Sequence, residues 1–279
     1  GDRVQVQSAA GYSQSVTIPE LTIRPDADKN LIAGTGPSNT LIYVWLPEGE
    51  WEGMVPIGAS GRFAARAEQL QTAPRDLDLN WGQPVGIEVT DEDGTWIYTQ
   101  FDWPQIIARY DMAGEEDQVW GGRAFPGNAI HITVTHPVSG VGAAGTTTAG
   151  AVEWTGPFGY SLQLPDGTIE PGNTVTVDFG DGYVDSTAVV SITANPDPDT
   201  DLIVGTAPPY GVLHANAEHF WGDWVDVEDV HVDVNGVFTI DLGAEGWDVQ
   251  PGDRFNIHFE AGRGHQTQYH LWLPAPELS

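Results

Sequence analysis

A glycine-anchored pattern recurs three times along this chain, and it constrains the fold more than any other feature. The first copy reads Leu31-Ile32-Ala33-Gly34-Thr35-Gly36-Pro37, followed by the alternating run Leu41-Ile42-Tyr43-Val44-Trp45. The second reads Gln118-Val119-Trp120-Gly121-Gly122, followed by Ala129-Ile130-His131-Ile132-Thr133-Val134. The third reads Leu202-Ile203-Val204-Gly205-Thr206-Ala207-Pro208, followed by Val212-Leu213-His214-Ala215-Asn216-Ala217. The anchoring glycines Gly34, Gly121 and Gly205 are 87 and 84 residues apart. A period of this size makes each copy one structural unit.

Two further blocks follow each anchor. One is a Gly-x-Phe strand start, at Gly61-Arg62-Phe63, Gly156-Pro157-Phe158 and Gly236-Val237-Phe238. The other is a turn that leads into alternating residues: Trp81-Gly82-Gln83-Pro84-Val85, Pro171-Gly172-Asn173-Thr174-Val175 and Pro251-Gly252-Asp253-Arg254-Phe255. Period-two alternation punctuated by glycine and proline is the signature of strands and tight turns. No segment keeps a helical period. Residues 64–72 carry at most a short helical turn, and the Gly/Ala/Thr-rich stretch from Gly140 to Thr148 reads as a loop inserted into the second copy.

About seven short strands per unit indicate a β-sandwich. The three blocks resemble the bacterial immunoglobulin-like repeats of large secreted and surface proteins. That resemblance covers nearly the whole chain and implies an all-β fold of tandem immunoglobulin-like sandwiches in an elongated array. The chain departs from those repeats in its many tryptophans and aspartates. The expected divisions are a hairpin at 1–23 and repeats at 24–104, 105–189 and 190–279.

The beginning of the chain echoes its end. Gly1-Asp2-Arg3-Val4-Gln5-Val6 matches Gly252-Asp253-Arg254-Phe255-Asn256-Ile257, so residues 1–23 read as the last two strands of a further repeat. A lone hairpin is marginal in water and exposes unpaired edges. It calls either for preceding chain or for a neighbouring copy joined head to tail by strand addition, with Val4, Val6, Val16 and Ile18 at the contact.

Charge narrows the partners. There are 40 acidic residues against 10 basic ones, a net of −30. Nucleic acid and anionic membrane would be repelled, and no apolar run is long enough for a membrane helix. The acidity suits salt tolerance, solubility or Ca²⁺, which takes six to eight oxygen ligands. The acidic junctions supply the candidate calcium ligands: Asp26 and Asp28, then Asp111 and Asp117, then Asp197, Asp199 and Asp201. A solvated turn would use the same residues. The chain has no cysteine, which removes disulfides and thiolate chemistry.

Catalytic signatures are missing from the sequence: there is no G-x-S-x-G and no H-E-x-x-H. Six of the eight histidines fall in the third repeat, and His258 and His270 lie on strands expected to pair. Trp45, Trp96, Trp103, Trp154 and Trp272 are expected in the cores, whereas Trp221 and Trp224 flank a loop where they would stack on sugar rings or on a neighbouring domain. The sequence therefore predicts a non-enzymatic structural or adhesive protein at the cell surface. Its expected partners are copies of itself or other surface proteins, with Ca²⁺ stiffening the junctions. The alternative is a carbohydrate-binding accessory region of a larger secreted enzyme.

Overall fold

The computed structural model describes residues 3–7, 11, 13–46, 52–66, 70, 79, 84–90, 94–111, 116–152, 156–180, 182–219 and 222–274. The chain divides into two compact units, Gly1–Trp103 and Pro104–Ser279.

In the first unit, β1 (Arg3–Gln7) and β2 (Ser13–Thr17) form a two-stranded sheet, with Val4 opposite Val16. The first repeat follows: β3 (Thr22–Asp26), β4 (Leu31–Thr35), β5 (Leu41–Trp45), β6 (Glu52–Pro56), β7 (Arg62–Arg66), β8 (Val85–Thr90) and β9 (Trp96–Phe101). These strands make a three-stranded sheet, β3-β4-β7, and a four-stranded sheet, β6-β5-β8-β9. Alternation decides which side chains enter the core: Ile42 and Val44 of β5 are fully buried, while Leu41 between the sheet and water is 55% exposed. Residues 64–66 belong to β7 and pair with Leu31–Ala33, so the short helical turn expected from residue 64 does not form there.

The second unit contains β10 (Ile107–Asp111), β11 (Asp117–Gly121), β12 (Ala129–His136), β13 (Gly140–Thr148), β14 (Gly150–Val152), β15 (Gly156–Leu164), β16 (Thr174–Asp178) and β17 (Val184–Ala188). It continues with β18 (Thr193–Asp197), β19 (Leu202–Thr206), β20 (Val212–Glu218), β21 (Trp224–His231), β22 (Val237–Asp241), β23 (Arg254–Glu260) and β24 (Gln266–Trp272). The stretch Gly140–Thr148, expected as a loop, is a nine-residue strand paired along β12. Small residues suit it to that place: a Cβ on Gly145 would lie 2.5 Å from the Leu162 side chain.

The anchoring glycines have one shared cause. A Cβ on Gly34 would sit 2.0 Å from the Thr22 carbonyl oxygen, one on Gly121 1.8 Å from that of Gln105, and one on Gly205 2.0 Å from that of Thr193. The other side of the same position is closed by an aromatic ring on the paired strand: Phe63, Tyr160 and Phe238. No side chain but hydrogen fits between them. In the second repeat the ring is therefore Tyr160, two residues beyond the Phe158 expected from the motif; Phe158 is 50% exposed.

The boundary expected near residue 104 coincides with the division between units. The one expected after residue 189 is not a break. Strand β10 of the second repeat pairs in parallel with β24 of the third, Ile107 beside Gln266 through Asp111 beside His270. The result is one eight-stranded sheet, β14-β15-β11-β10-β24-β23-β20-β21, spanning both repeats. Buried side chains from both, including Val119, Tyr160, Phe238, Phe255 and Tyr269, belong to one continuous core.

Candidate functional site

A buried polar seam locks the two repeats together. The Ile106 amide donates to His265 Nδ1 at 3.1 Å, which leaves Nε2 as the protonated nitrogen, donating to Asp185 Oδ2 at 3.0 Å. His265 and Asp185 side chains are 1% and 3% exposed. Arg263 and the Ser186 amide donate to the other Asp185 oxygen at 3.0 and 2.8 Å. Burial pushes the Asp185 carboxyl up, but the bonds from His265, Ser186 and Arg263 together outweigh it and hold the group below its usual value. Beside this cluster, the Tyr110 hydroxyl accepts from the Ile192 amide at 2.8 Å, and the Val190 amide donates to Thr267 Oγ1 at 3.2 Å.

The seam positions the outer face of the shared sheet. Pairing sets Gln118, Arg109, Gln268, His258 and His214 in one row across five strands. A second row runs His270, Asn256, Asn216 and Asp226, and a third runs Trp272, Arg254, Glu218 and Trp224. Between these rows lies a cavity of about 410 Å³, lined by residues of both repeats. That volume lies in the roughly 300–1,000 Å³ range of small-molecule sites.

The lining groups hold one another in place. Asn256 Nδ2 donates to Asn216 Oδ1 at 2.8 Å, Gln268 Nε2 to His258 Nε2 at 2.9 Å, and Trp272 Nε1 to His270 Nε2 at 3.1 Å. Both imidazoles accept through Nε2 and are therefore neutral in this arrangement. Burial also pushes the His258 ring below its ordinary value. The Arg254 guanidinium lies 4.2 Å over the Trp272 ring, a cation–π contact. Arg109 Nε is buried without a hydrogen-bond partner among the described residues. Neither arginine forms an ion pair among the described residues, despite the 40 acids of the chain.

The first repeat carries a different surface. On the outer face of β6-β5-β8-β9, Trp96 is 71% and Tyr98 69% exposed, beside Leu41, Tyr43, Met54 and Glu88. Of these, Trp96, Leu41, Tyr43, Met54 and Glu88 border a shallow cavity of about 730 Å³.

Among the described residues no three His, Asp or Glu come together to hold a metal. Asp117 is buried and accepts the Ile169 amide at 2.7 Å, and Asp201 accepts the Val249 amide at 2.8 Å. Asn30 does the same for Leu79 at 2.9 Å. These are one position in three repeats, where a side-chain oxygen pins a distant loop to the second strand, and Asn30 shows that charge is not required for it. Asp26 is paired with Lys29, whose hydrogen bond holds the carboxyl below its usual value, and Asp28 stands in the same turn. Asp197 accepts the Asp199 amide at 2.9 Å, closing a turn. Asp111 ends β10, and its side chain lies outside the described residues.

Of the tryptophans expected in cores, Trp103 is buried, whereas Trp96 and Trp272 face outward; Trp154 lies outside the described residues. Trp224 is 67% exposed on β21, and Trp221 lies outside the described residues. Val4 is 45% exposed, Val16 and Ile18 are half-buried, and the Val6 side chain lies outside the described residues. Sequence reasoning passed over Arg109, Gln118, Asn216, Arg254, Asn256 and Gln268. Their signal is alternation: Arg254, Asn256 and His258 share one face of β23, as Gln268, His270 and Trp272 share one face of β24.

No protein-family model matches the chain, and no characterised protein matches its sequence. Among solved structures, it is similar to a tetra-tandem repeat from the extending region of a large adhesion protein, at 15% identity over 98% of this chain and 81% of that one, with a TM-score of 0.22. It is also similar to part of a 1.5-MDa bacterial ice-binding adhesin, at 12% identity over 92% of this chain and 98% of that one, TM-score 0.22. A third is the BSP domain of a biofilm-associated protein, at 10% identity over 94% of this chain and 66% of that one, TM-score 0.23. Scores of this size do not define a common arrangement, so function rests on this chain's own residues.

Proposed function

We propose that the chain is a non-enzymatic structural and adhesive element at the cell surface, and that its second and third repeats act as one rigid ligand-contacting body. The carrying observation is the shared eight-stranded sheet, whose outer face holds hydrogen-bonded amides, neutral imidazoles and two guanidinium groups in no ion pair among the described residues, around a cavity. A sheet face serving only solubility would carry scattered charges. This one carries groups that both donate and accept, held in position by one another, as recognition of a polar ligand requires. The terminal hairpin, with no third strand beside it among the described residues, supplies the contact between copies.

The test is retention of protein-coated beads on polysaccharide-coated surfaces under flow, with release of reducing ends measured on the same surfaces. Retention without release is expected. Release of reducing ends would overturn the non-enzymatic reading, and no retention on any surface would overturn the adhesive one.

A further inference from the structure

We infer that the groove across the shared sheet binds a carboxylate-bearing sugar, an acidic saccharide unit of a polysaccharide, through Arg109 and Arg254. The inference deepens the adhesive reading and rests on it.

Charge comes first. The groove contains two arginines and Glu218, and His258 and His270 are held neutral by the hydrogen bonds they accept. It therefore carries about one net positive charge, on a chain whose net charge is −30. One positive site inside a negative field favours a short saccharide with few carboxylates over a long, dense polyanion, which the rest of the surface would repel. Arg254 stands directly opposite Glu218 in the strand register yet stacks on Trp272. Stacking leaves the in-plane N–H groups of the guanidinium free to meet a carboxylate with two parallel hydrogen bonds. Arg109 brings a second guanidinium whose buried Nε has no partner among the described residues.

The remaining groups fit sugar hydroxyls, which donate and accept at once. The Asn216–Asn256 bond uses one donor and one acceptor and leaves Asn216 Nδ2 and Asn256 Oδ1 available. Gln268 spends its amide N–H on His258 and keeps its carbonyl oxygen. Trp120, at the rim between β10 and β15, presents an aromatic ring to the apolar face of a sugar. Arg109 and Trp120 belong to the second repeat and Arg254 and Asn256 to the third, so the site exists only where the seam joins them.

Isothermal titration calorimetry of the full chain with trigalacturonate, trigalactose and a sulfated galactose trisaccharide tests this. Trigalacturonate is expected to bind, trigalactose at least tenfold more weakly, and the sulfated sugar no better than trigalactose. Arg109→Gln and Arg254→Gln should each weaken trigalacturonate binding at least tenfold without changing the thermal midpoint of either unit. Arg254→Lys should restore part of the loss, since it keeps the charge without the fork. Binding of trigalacturonate and trigalactose with equal affinity, preference for the sulfated sugar, or wild-type affinity in both glutamine variants would each overturn the inference. Loss of all saccharide binding together with loss of bead retention would overturn the adhesive reading as well. Bead retention without uronate binding would overturn only the inference.

Discussion

The first and third repeats build the same four-stranded sheet, β6-β5-β8-β9 in one and β21-β20-β23-β24 in the other, and finish it differently. In the first repeat β9 is the last strand of the sheet among the described residues, and the outer face shows Trp96, Tyr98, Leu41 and Met54 to solvent. In the third repeat the sheet runs on through β24 into β10, and the outer face carries amides and imidazoles that bond to one another beside two arginines that form no ion pair among the described residues. The sandwich core is indifferent to this choice, because alternation sends those side chains away from it. The outward positions are free to differ between repeats, and the edge at β24 joins the third repeat to the second.

The largest effect should come from the edge. Asp185→Ala removes the anion that His265 and Arg263 surround, at a cost of about 3 kcal/mol. The guanidinium midpoint of the Pro104–Ser279 unit should fall while that of Gly1–Trp103 stays. Equal loss in both units would break the comparison.

Acid should act through the same group. The Asp185 carboxyl is held below its unfolded value, which is about 3.9. Its contribution is complete above that value and is lost as pH falls through the lowered folded value. Melting of the second unit should therefore not change with pH through Asp185 near neutrality, where its contribution is complete, and should fall below about pH 4, and Asp185→Ala should flatten the fall.

The pinning position should give a smaller effect. Asp201→Ala should cost about 1–2 kcal/mol, because the buried Val249 amide loses its acceptor. Asp201→Asn should cost well under that, since Asn30 makes the same bond in the first repeat. A calcium-binding junction would behave otherwise: the asparagine variant would lose a calcium-dependent rise in melting temperature. Smallest in stability is Trp96→Ala with Tyr98→Ala, expected to change the first unit by no more than about 0.5 kcal/mol. The pair should lower binding of an apolar fluorescent dye, and no drop would mean that the aromatic face is covered.

Much of the architecture was legible in the sequence because its causes are local. Gly34, Gly121 and Gly205 mark the place where a strand passes under a carbonyl and an aromatic ring, and the Pro-Gly turn before Asn173 or Asp253 marks the next strand. The offset of Tyr160 was not legible, because the motif alone does not say which of Phe158 and Tyr160 faces Gly121. Asp117 and Asp201 read as ligands because an acid in a turn and an acid that pins a loop look alike until the partner amide, about fifty residues away, is known. The seam left no trace: Asp185 and His265 are 80 residues apart, and parallel pairing of β10 with β24 has no local signature. The site built across that seam was correspondingly invisible, although the alternation of β23 and β24 displayed its components.

The central claim, that two repeats form one body, is tested most directly by pulling the full chain between its ends in a single-molecule force experiment. One body predicts that the Pro104–Ser279 unit yields in a single step of about 60 nm of released chain. Two separate steps of about 30 nm, each at the force of an isolated sandwich and unchanged by Asp185→Ala, would contradict it.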